Sequence, residues 1–430
     1  NSILNPVFSI YTKYFIVPDN CKMSSYPIFN KQSKWEQVLG YLLALFLILN
    51  NQTVFQNSIS FNYHIYEITL LLIIVTTLYQ IEKYGIYENK FKSLLNLSFI
   101  YYVYLSIISI ASVGVDQLVS FWARYASLPF VFFYFSSNAS YIVKIELFRK
   151  VVNVMVVISC ISLFFWIFGS TFKMITPTGV ALFEWGTVNE VSSYFNIYFE
   201  TQYVDWLGID FFWRNTAIFV EGPMMSLTLI IAITLIYYFD DIWHIATWKK
   251  FILAFAIITS FSVTGYFILW GFVVLKLYRS KKFRAIMIVM LIPLSLYAIQ
   301  VMMDMKQSTG SYSLREDDYY VGFITWLQNP IFGWGFNNWE ALQANMKGRA
   351  NDGFSNSIFS VLTQGGILMG LMYFIPILIG ITSKEFKRFV VCIVYAILFI
   401  SIIFQTAYVN FFLFCLMIPY FIPSPQKIKG

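Results

Sequence analysis

Charge is scarce in this chain. Asp, Glu, Lys and Arg make up 12% of its 430 residues, hydrophobic residues make up 58%, and the mean hydropathy is +0.66. A soluble domain is nearer about a quarter charged and half apolar, so the balance excludes one and implies many membrane-spanning helices. Histidine is nearly absent: His64 and His244 are the only two. There is no His/Cys cluster and no Asp-x-Asp pair, since Asp240-Asp241 and Asp317-Asp318 are adjacent residues, so neither metal nor cofactor is expected. Of the four cysteines, Cys160, Cys392 and Cys415 lie in apolar runs and Cys21 near the N-terminus, which excludes a disulfide framework. The sequence has no internal repeat, low-complexity tract or soluble domain, and its halves lack the matching pattern of many transporters.

Long apolar runs are what it has instead. Aromatics, 20% of the residues, gather near the ends of these runs, where amphipathic rings favour the membrane interface. A helix needs about 20 mainly apolar residues to cross the hydrocarbon. Such runs occur near 36–53, 65–82, 93–113, 117–137, 151–170 and 215–239, then near 250–263, 264–278, 285–303, 355–381, 389–405 and 407–422. Residues 251–277 are long for one helix and short for two. Basic clusters flank both ends, Lys249-Lys250 before and Lys276 to Arg284 after. The positive-inside rule puts both in the cytoplasm, which favours a hairpin turning at "SFSVTG" (Ser260–Gly265) over one tilted helix. The other basic connections then fall inside too, including Lys384, Lys387 and Arg388, while 50–64 and 114–117 carry no Lys or Arg. The expectation is an all-α polytopic membrane protein, a single integral membrane domain over 1–430 with about twelve crossings and both termini cytoplasmic. No cleavable signal peptide is evident, so the first span is expected to direct insertion.

Two long connections, 171–213 and 304–354, fall outside. The first carries Glu184, Glu190, Glu200, Asp205 and Asp210 against Lys173 alone, so the net charge of +7 is an inner-face orientation signal and not a nucleic-acid patch. Trp185, Trp206, Trp213, Trp326, Trp334 and Trp339 disfavour disorder in these segments. Three stretches hold the chemistry. In "FFWRNTAIFVEGPMM" (Phe211–Met225), Arg214 sits at the outer mouth of the sixth span, Glu221 two turns deeper, and Pro223 should kink the helix. Arg214 then either serves a site or anchors in headgroups, and Glu221 either faces a cavity or pairs internally. In "SYSLREDDYYVGFITWLQNPIFGWGF" (Ser311–Phe336), Arg315 is followed by Glu316, Asp317 and Asp318. A short amphipathic helix over 319–327 groups Tyr320, Phe323, Ile324 and Leu327 on one face, Pro330 ends it, and Gly333 and Gly335 permit a tight turn close to a ligand or a helix. In "DGFSNSIFSVLTQGGILMG" (Asp352–Gly370), Asn356 is either a helix N-cap or a site residue, and Gln364-Gly365-Gly366 allow close helix packing. Arg124 in "FWARY" lies within an apolar run, where it lines a cavity or pairs with a headgroup.

In this order the stretches resemble the O-antigen polymerase and ligase superfamily (Wzy/WaaL-like): an Arg followed by Glu-Gly-Pro, a later Arg, Pro-x-x-Gly-x-Gly as "NPIFGWGFNNW", then "SNSIFSVLTQGG". The resemblance covers about residues 210–370 by motif and the whole chain by topology. It implies a GT-C-class glycosyltransferase of the bacterial inner membrane, with its active site on the periplasmic side. Such an enzyme takes undecaprenyl-pyrophosphate-linked oligosaccharides as donor and acceptor, contacts membrane lipids, and can work with a chain-length regulator; no nucleic acid is a partner. The family's His before Asn is Ser355 here, which favours a repeat-unit polymerase for O-antigen or capsule over a ligase to a lipid core or protein. The family's Ser-Arg turn falls at "SFSVTG", without the arginine. A lipid-linked oligosaccharide flippase is the rival of another class; it needs a charged central path, and the deep ionisable residues are few, chiefly Arg124 and Glu221.

The resemblance implies Arg214, Arg315 and Glu221 as catalytic residues, and Gly333, Gly335, Asn356, Asp317 and Asp318 as substrate-binding ones. The arginines would converge on the pyrophosphate leaving group, because a guanidinium makes bidentate, charge-assisted bonds to phosphate and stays protonated. Glu221, Asp317 and Asp318 stand open as bases for the attacking hydroxyl.

Overall fold

The computed structural model describes residues 32–59, 64–206, 209–279, 310–346 and 353–423. The span expected near 285–303, Cys21 and the side chain of Arg315 lie outside the described residues. The protein is mostly helical: α1 (Lys34–Leu49), α2 (Ile65–Tyr84), α3 (Glu88–Ser112), α4 (Leu118–Tyr125), α5 (Leu128–Ser136), α6 (Tyr141–Phe165), α7 (Gly222–Trp243), α8 (Thr247–Thr259), α9 (Val263–Arg279), α10 (Gly310–Gln328), α11 (Glu340–Gln343), α12 (Ser357–Thr382), α13 (Phe386–Ser401) and α14 (Val409–Met417). Among the described residues six segments are long and apolar enough to cross a membrane: α2, α3, Val115–Ser136, Tyr141–Thr171, α7 and α12. This is an α-helical membrane protein. The expected spans at 36–53, 250–263, 264–278, 389–405 and 407–422 are shorter helices of 16, 13, 17, 16 and 9 residues.

The centre of the bundle is α7. Of its most apolar stretch 83% is buried, against 28–50% for the other five, as expected for a helix apolar on every side. Helices α6, α8, α9 and α13 pack around it. The chain between 251 and 277 is two helices, α8 and α9, packed on each other through a turn at Ser260–Ser262. Small residues permit this: a Cβ on Gly265 would strike the side chain of Ser226 in α7.

The all-α expectation fails between α6 and α7. Residues 179–199 form a three-stranded antiparallel sheet, β1 (Gly179–Trp185), β2 (Thr187–Tyr194) and β3 (Tyr198–Phe199); β4 (Tyr203–Trp206) and β5 (Ile209–Trp213) form a second pair. The hairpin turns at Gly186, whose φ of +72° suits glycine. Burial alternates in part along the strands, with Phe183 and Val191 inward and Val180 and Val188 exposed, the period of a half-buried strand. The 50–59 loop extends the sheet: Glu184 N–H donates to Asn57 O at 2.9 Å and Ile59 N–H to Leu182 O at 3.1 Å. Glu200 is buried and accepts from the Tyr194 hydroxyl at 3.0 Å; burial and that carboxylate both push the Tyr194 pKa upward.

Arg388 belongs to a basic connection, yet its side chain is buried at the end of the bundle away from the sheets. It donates to Leu416 O and Ile422 O around the end of α14 and pairs with Glu385 at 2.9 Å, taking up carbonyls that a helix end leaves open.

Helix α12 is broken at Gly365 (φ −132°) and Gly366 (φ +60°), and the "GWGF" loop plugs the break. Trp334 N–H donates to Thr363 O at 2.6 Å and Gly335 N–H to Gln364 O at 3.0 Å; Ile367 N–H donates back to Pro330 O at 2.9 Å. A Cβ on Gly333 (φ +72°) would lie 2.6 Å from the backbone at Gln364–Gly366. We therefore expect Gly333→Ala to cost about 2 kcal/mol or more through strain and overlap. Gly271→Ala, which meets open space within a helix, should leave stability unchanged or raise it by up to about 1 kcal/mol. Thermal unfolding of the purified variants checks both; equal melting of Gly333→Ala and wild type would refute the plug.

Candidate functional site

The chain from Arg214 to Glu221 is not helical, contrary to the sequence reading. Asn215 is pulled toward α6 and α8: its N–H donates to Thr259 O at 2.9 Å, and its side chain donates to Thr259 Oγ1 and Ser162 Oγ. Thr216 Oγ1 donates to Phe199 O in β3, and Ala217 takes φ +51°. Phe219 bridges Thr53, while Val54 N–H donates to Ile218 O and Val220 N–H to Gln52 O. Each bond draws the backbone to a neighbouring element and away from its own i−4 carbonyl. Helix α7 then starts at Gly222, with Pro223 in its first turn, where a missing N–H costs nothing. So Pro223 starts the helix and does not kink it. Glu221 is the N-cap, at the helix mouth and not two turns inside.

Around that mouth four groups converge. Gln202, between β3 and β4, accepts the Arg214 N–H on its backbone carbonyl at 3.0 Å. Its side-chain Oε1 accepts from Arg214 Nη1 at 3.1 Å and from Gly222 N–H at 3.3 Å. Glu221 Oε1 accepts the indole N–H of Trp185 from β1. The α8–α9 turn closes over the top, with Ser260 O 2.5 Å from where a Gly222 Cβ would stand. Glycine lets a guanidinium, a helix N-terminus and a neighbouring turn share one place.

The second group gathers where α10 meets the start of α12. Arg315 lies in α10, its side chain outside the described residues. Asp317 is half-buried and Asp318 buried. Asp318 Oδ2 accepts from both the N–H (2.9 Å) and the hydroxyl (2.7 Å) of Ser355, the residue standing where the resembled family has histidine. Asn356 caps α12 by accepting Phe359 N–H at 3.2 Å, so the capping role holds. Gly333 and Gly335 bind the α12 break, as described above. The helix over 319–327 is part of the longer α10 and buries Asp318, Val321, Gly322 and Thr325, leaving Tyr320, Phe323 and Leu327 exposed.

Sequence reasoning passed over Gln202 and named Trp185 only among the aromatics that disfavour disorder, because both reach the site through the unforeseen sheet. It also left Arg124 open. Arg124 is buried at the end of α4, its guanidinium 5.1 Å from the centre of the Tyr66 ring and 5.2 Å from that of Phe336 in the "GWGF" loop. An arginine inside an apolar run was the available signal. No family model, curated protein or solved structure matches the chain.

Asp318→Ala strands a half-buried N–H and a hydroxyl at Ser355, which should cost about 1–3 kcal/mol, whereas Ser355→Ala removes one bond and should cost about 1 kcal/mol. Thermal melting orders the two. An unchanged melt for Asp318→Ala would mean that Asp318 does not support the start of α12.

Proposed function

We propose that this protein is a membrane glycosyltransferase of the GT-C class that polymerises lipid-linked oligosaccharide units. In this reading the chain crosses a bacterial inner membrane about twelve times, its termini are cytoplasmic and its sheet end faces the periplasm. The observation that carries the reading is the position of Gln202 Oε1, an acceptor oxygen held between the Arg214 guanidinium and the Gly222 N–H at the head of α7. A guanidinium beside a helix N-terminus is the environment a phosphate oxygen takes, and an amide oxygen marks its place.

The reaction breaks the bond between the anomeric carbon of one glycan and its pyrophosphate, and forms a glycosidic bond to a hydroxyl of a second lipid-linked unit. The leaving pyrophosphate keeps the electron pair. Arg214, Arg315 and the α7 N-terminus stabilise that charge, which is the kind of fixed electrostatic help that lowers such barriers most. The hydroxyl proton passes to a carboxylate, Glu221 or Asp317 in preference to Asp318, which the Ser355 bonds already occupy. Two apolar grooves suit polyprenyl tails. One of about 530 Å³ runs between α9 and α13 past Phe267, Trp270, Phe389 and Ile393; another of about 410 Å³ lies among α1, α2 and α6 below the sheets.

Purified protein supplied with a labelled undecaprenyl-pyrophosphate repeat unit should give a ladder of multiples on a gel. Arg214→Ala and Arg315→Ala should each lower its rate about a hundredfold or more. A ladder that survives both substitutions would remove the arginines from the mechanism. Transfer of finished glycan to a lipid core without a ladder would make the protein a ligase.

A further inference from the structure

Arg124 is a charge that the fold has buried without neutralising. It is 8% exposed, and its Nε and Nη1 are buried with no hydrogen-bond partner. Among the described residues it forms no ion pair; its ionisable neighbours are the hydroxyls of Tyr66, Tyr373 and Tyr408 and that of Tyr125, which is within hydrogen-bonding reach of the guanidinium. Burying a guanidinium that leaves two nitrogens without an acceptor is costly, and an ionisable side chain inside an apolar helix marks a partner or a substrate path.

The helix ending beside it does not supply one. α4 stops at Tyr125 and α5 resumes at Leu128, and the carbonyls at this break are taken by hydroxyls. Tyr408 donates to Ala123 O at 3.2 Å, Ser127 to Arg124 O at 2.8 Å, Tyr101 to Tyr125 O at 2.9 Å and Tyr102 to Ala126 O at 3.2 Å. None of these carbonyls accepts from the guanidinium Nε or Nη1. The guanidinium lies against the ring of Tyr66, whose hydroxyl accepts from Gln56, and that of Phe336, held by its N–H to Ser112 O at 2.7 Å. Phe336 follows the plug of the α12 break, and Tyr125 bonds Tyr373 of α12 at 3.2 Å. Arg124 therefore sits between two broken helices, and irregular backbone at membrane depth is tolerated where it is buried or lines a site.

We propose that Arg124, walled by Tyr66, Phe336 and Tyr408, binds the pyrophosphate head of a polyprenyl-linked substrate at a place distinct from the Arg214–Gln202 group. This rests on the proposed function for the identity of the lipid. A polymerase of this kind must hold two lipid pyrophosphates at once, one leaving and one retained, and the protein has two separately built arginine positions. Arg214 already has an oxygen acceptor in Gln202, whereas Arg124 offers buried donors that await one.

The test uses the full chain in detergent, with labelled undecaprenyl pyrophosphate as probe and no glycan, so that binding is read apart from turnover. Arg124→Met should weaken binding about tenfold or more, with Arg124→Lys retaining part of it, as expected for a lost charge-assisted contact. Because Arg124→Met can also disturb folding, phenylglyoxal labelling of wild-type arginines, mapped by peptide mass, provides a second reading: the probe should slow modification of Arg124. Inorganic pyrophosphate should compete at high concentration, and phosphatidylglycerol should protect far less. A folded Arg124→Met that binds as wild type, or labelling of Arg124 indifferent to the probe, overturns the proposal. Equal protection by phosphatidylglycerol also overturns it, by making this a membrane-lipid contact. Arg124-dependent binding without any ladder would refute the polymerase and leave the binding site standing.

Discussion

A peptide group inside the hydrocarbon has no water to bond, so every carbonyl and N–H there must be answered by the protein. This structure satisfies the constraint where it is hardest to meet, at two interrupted helices. In α12 the "GWGF" backbone takes over the bonds that Gly365 and Gly366 release, carbonyl for carbonyl and N–H for N–H. Between α4 and α5 the same debt is met by side chains, the hydroxyls of Tyr101, Tyr102, Ser127 and Tyr408. The two breaks touch through the edge-to-face packing of Phe121 on Phe336, ring centres 5.3 Å apart.

The same constraint shapes the sheet end. Backbone leaving α6 finds partners in strands and in the 50–59 loop, and only at Gly222 does the chain become helical again. The start of α7 is therefore fixed from several sides: by Gln202 from the sheets, Trp185 from β1, Ser260 from the α8–α9 turn and Gln52 through Val220. Burial of α7 on nearly all faces holds its axis. A functional group placed at that mouth is positioned by the whole bundle and not by a loose loop, which is the condition for preorganised charge stabilisation.

Much of this was legible beforehand, and the misses have physical causes. The α8–α9 hairpin was readable because basic clusters at both ends of one apolar run demand a return. Asn356 was readable as a cap because capping is local. The all-α expectation failed at 179–213, where β1 and β2 pair locally across Gly186 and the 50–59 loop, more than a hundred positions away in the chain, docks on their edge. Pro223 was misread for a related reason: proline is compatible with a kink or a first turn, and tertiary bonds at Asn215 and Thr216 decided between them. Gly333 and Gly335 announced a close approach, but the partner proved to be a helix backbone.

By itself the sequence determined the medium. Apolar runs, scarce charge and the placement of Lys and Arg are properties of single segments facing lipid or headgroups, and these act on each segment independently. The tertiary structure decided which buried polar groups are answered and by whom. Asp318 meets Ser355, Gln202 meets Arg214 and Gly222, and Arg124 meets aromatic faces without an acid among the described residues, because such pairings depend on which helices lie side by side, and hydrophobic periodicity is blind to that.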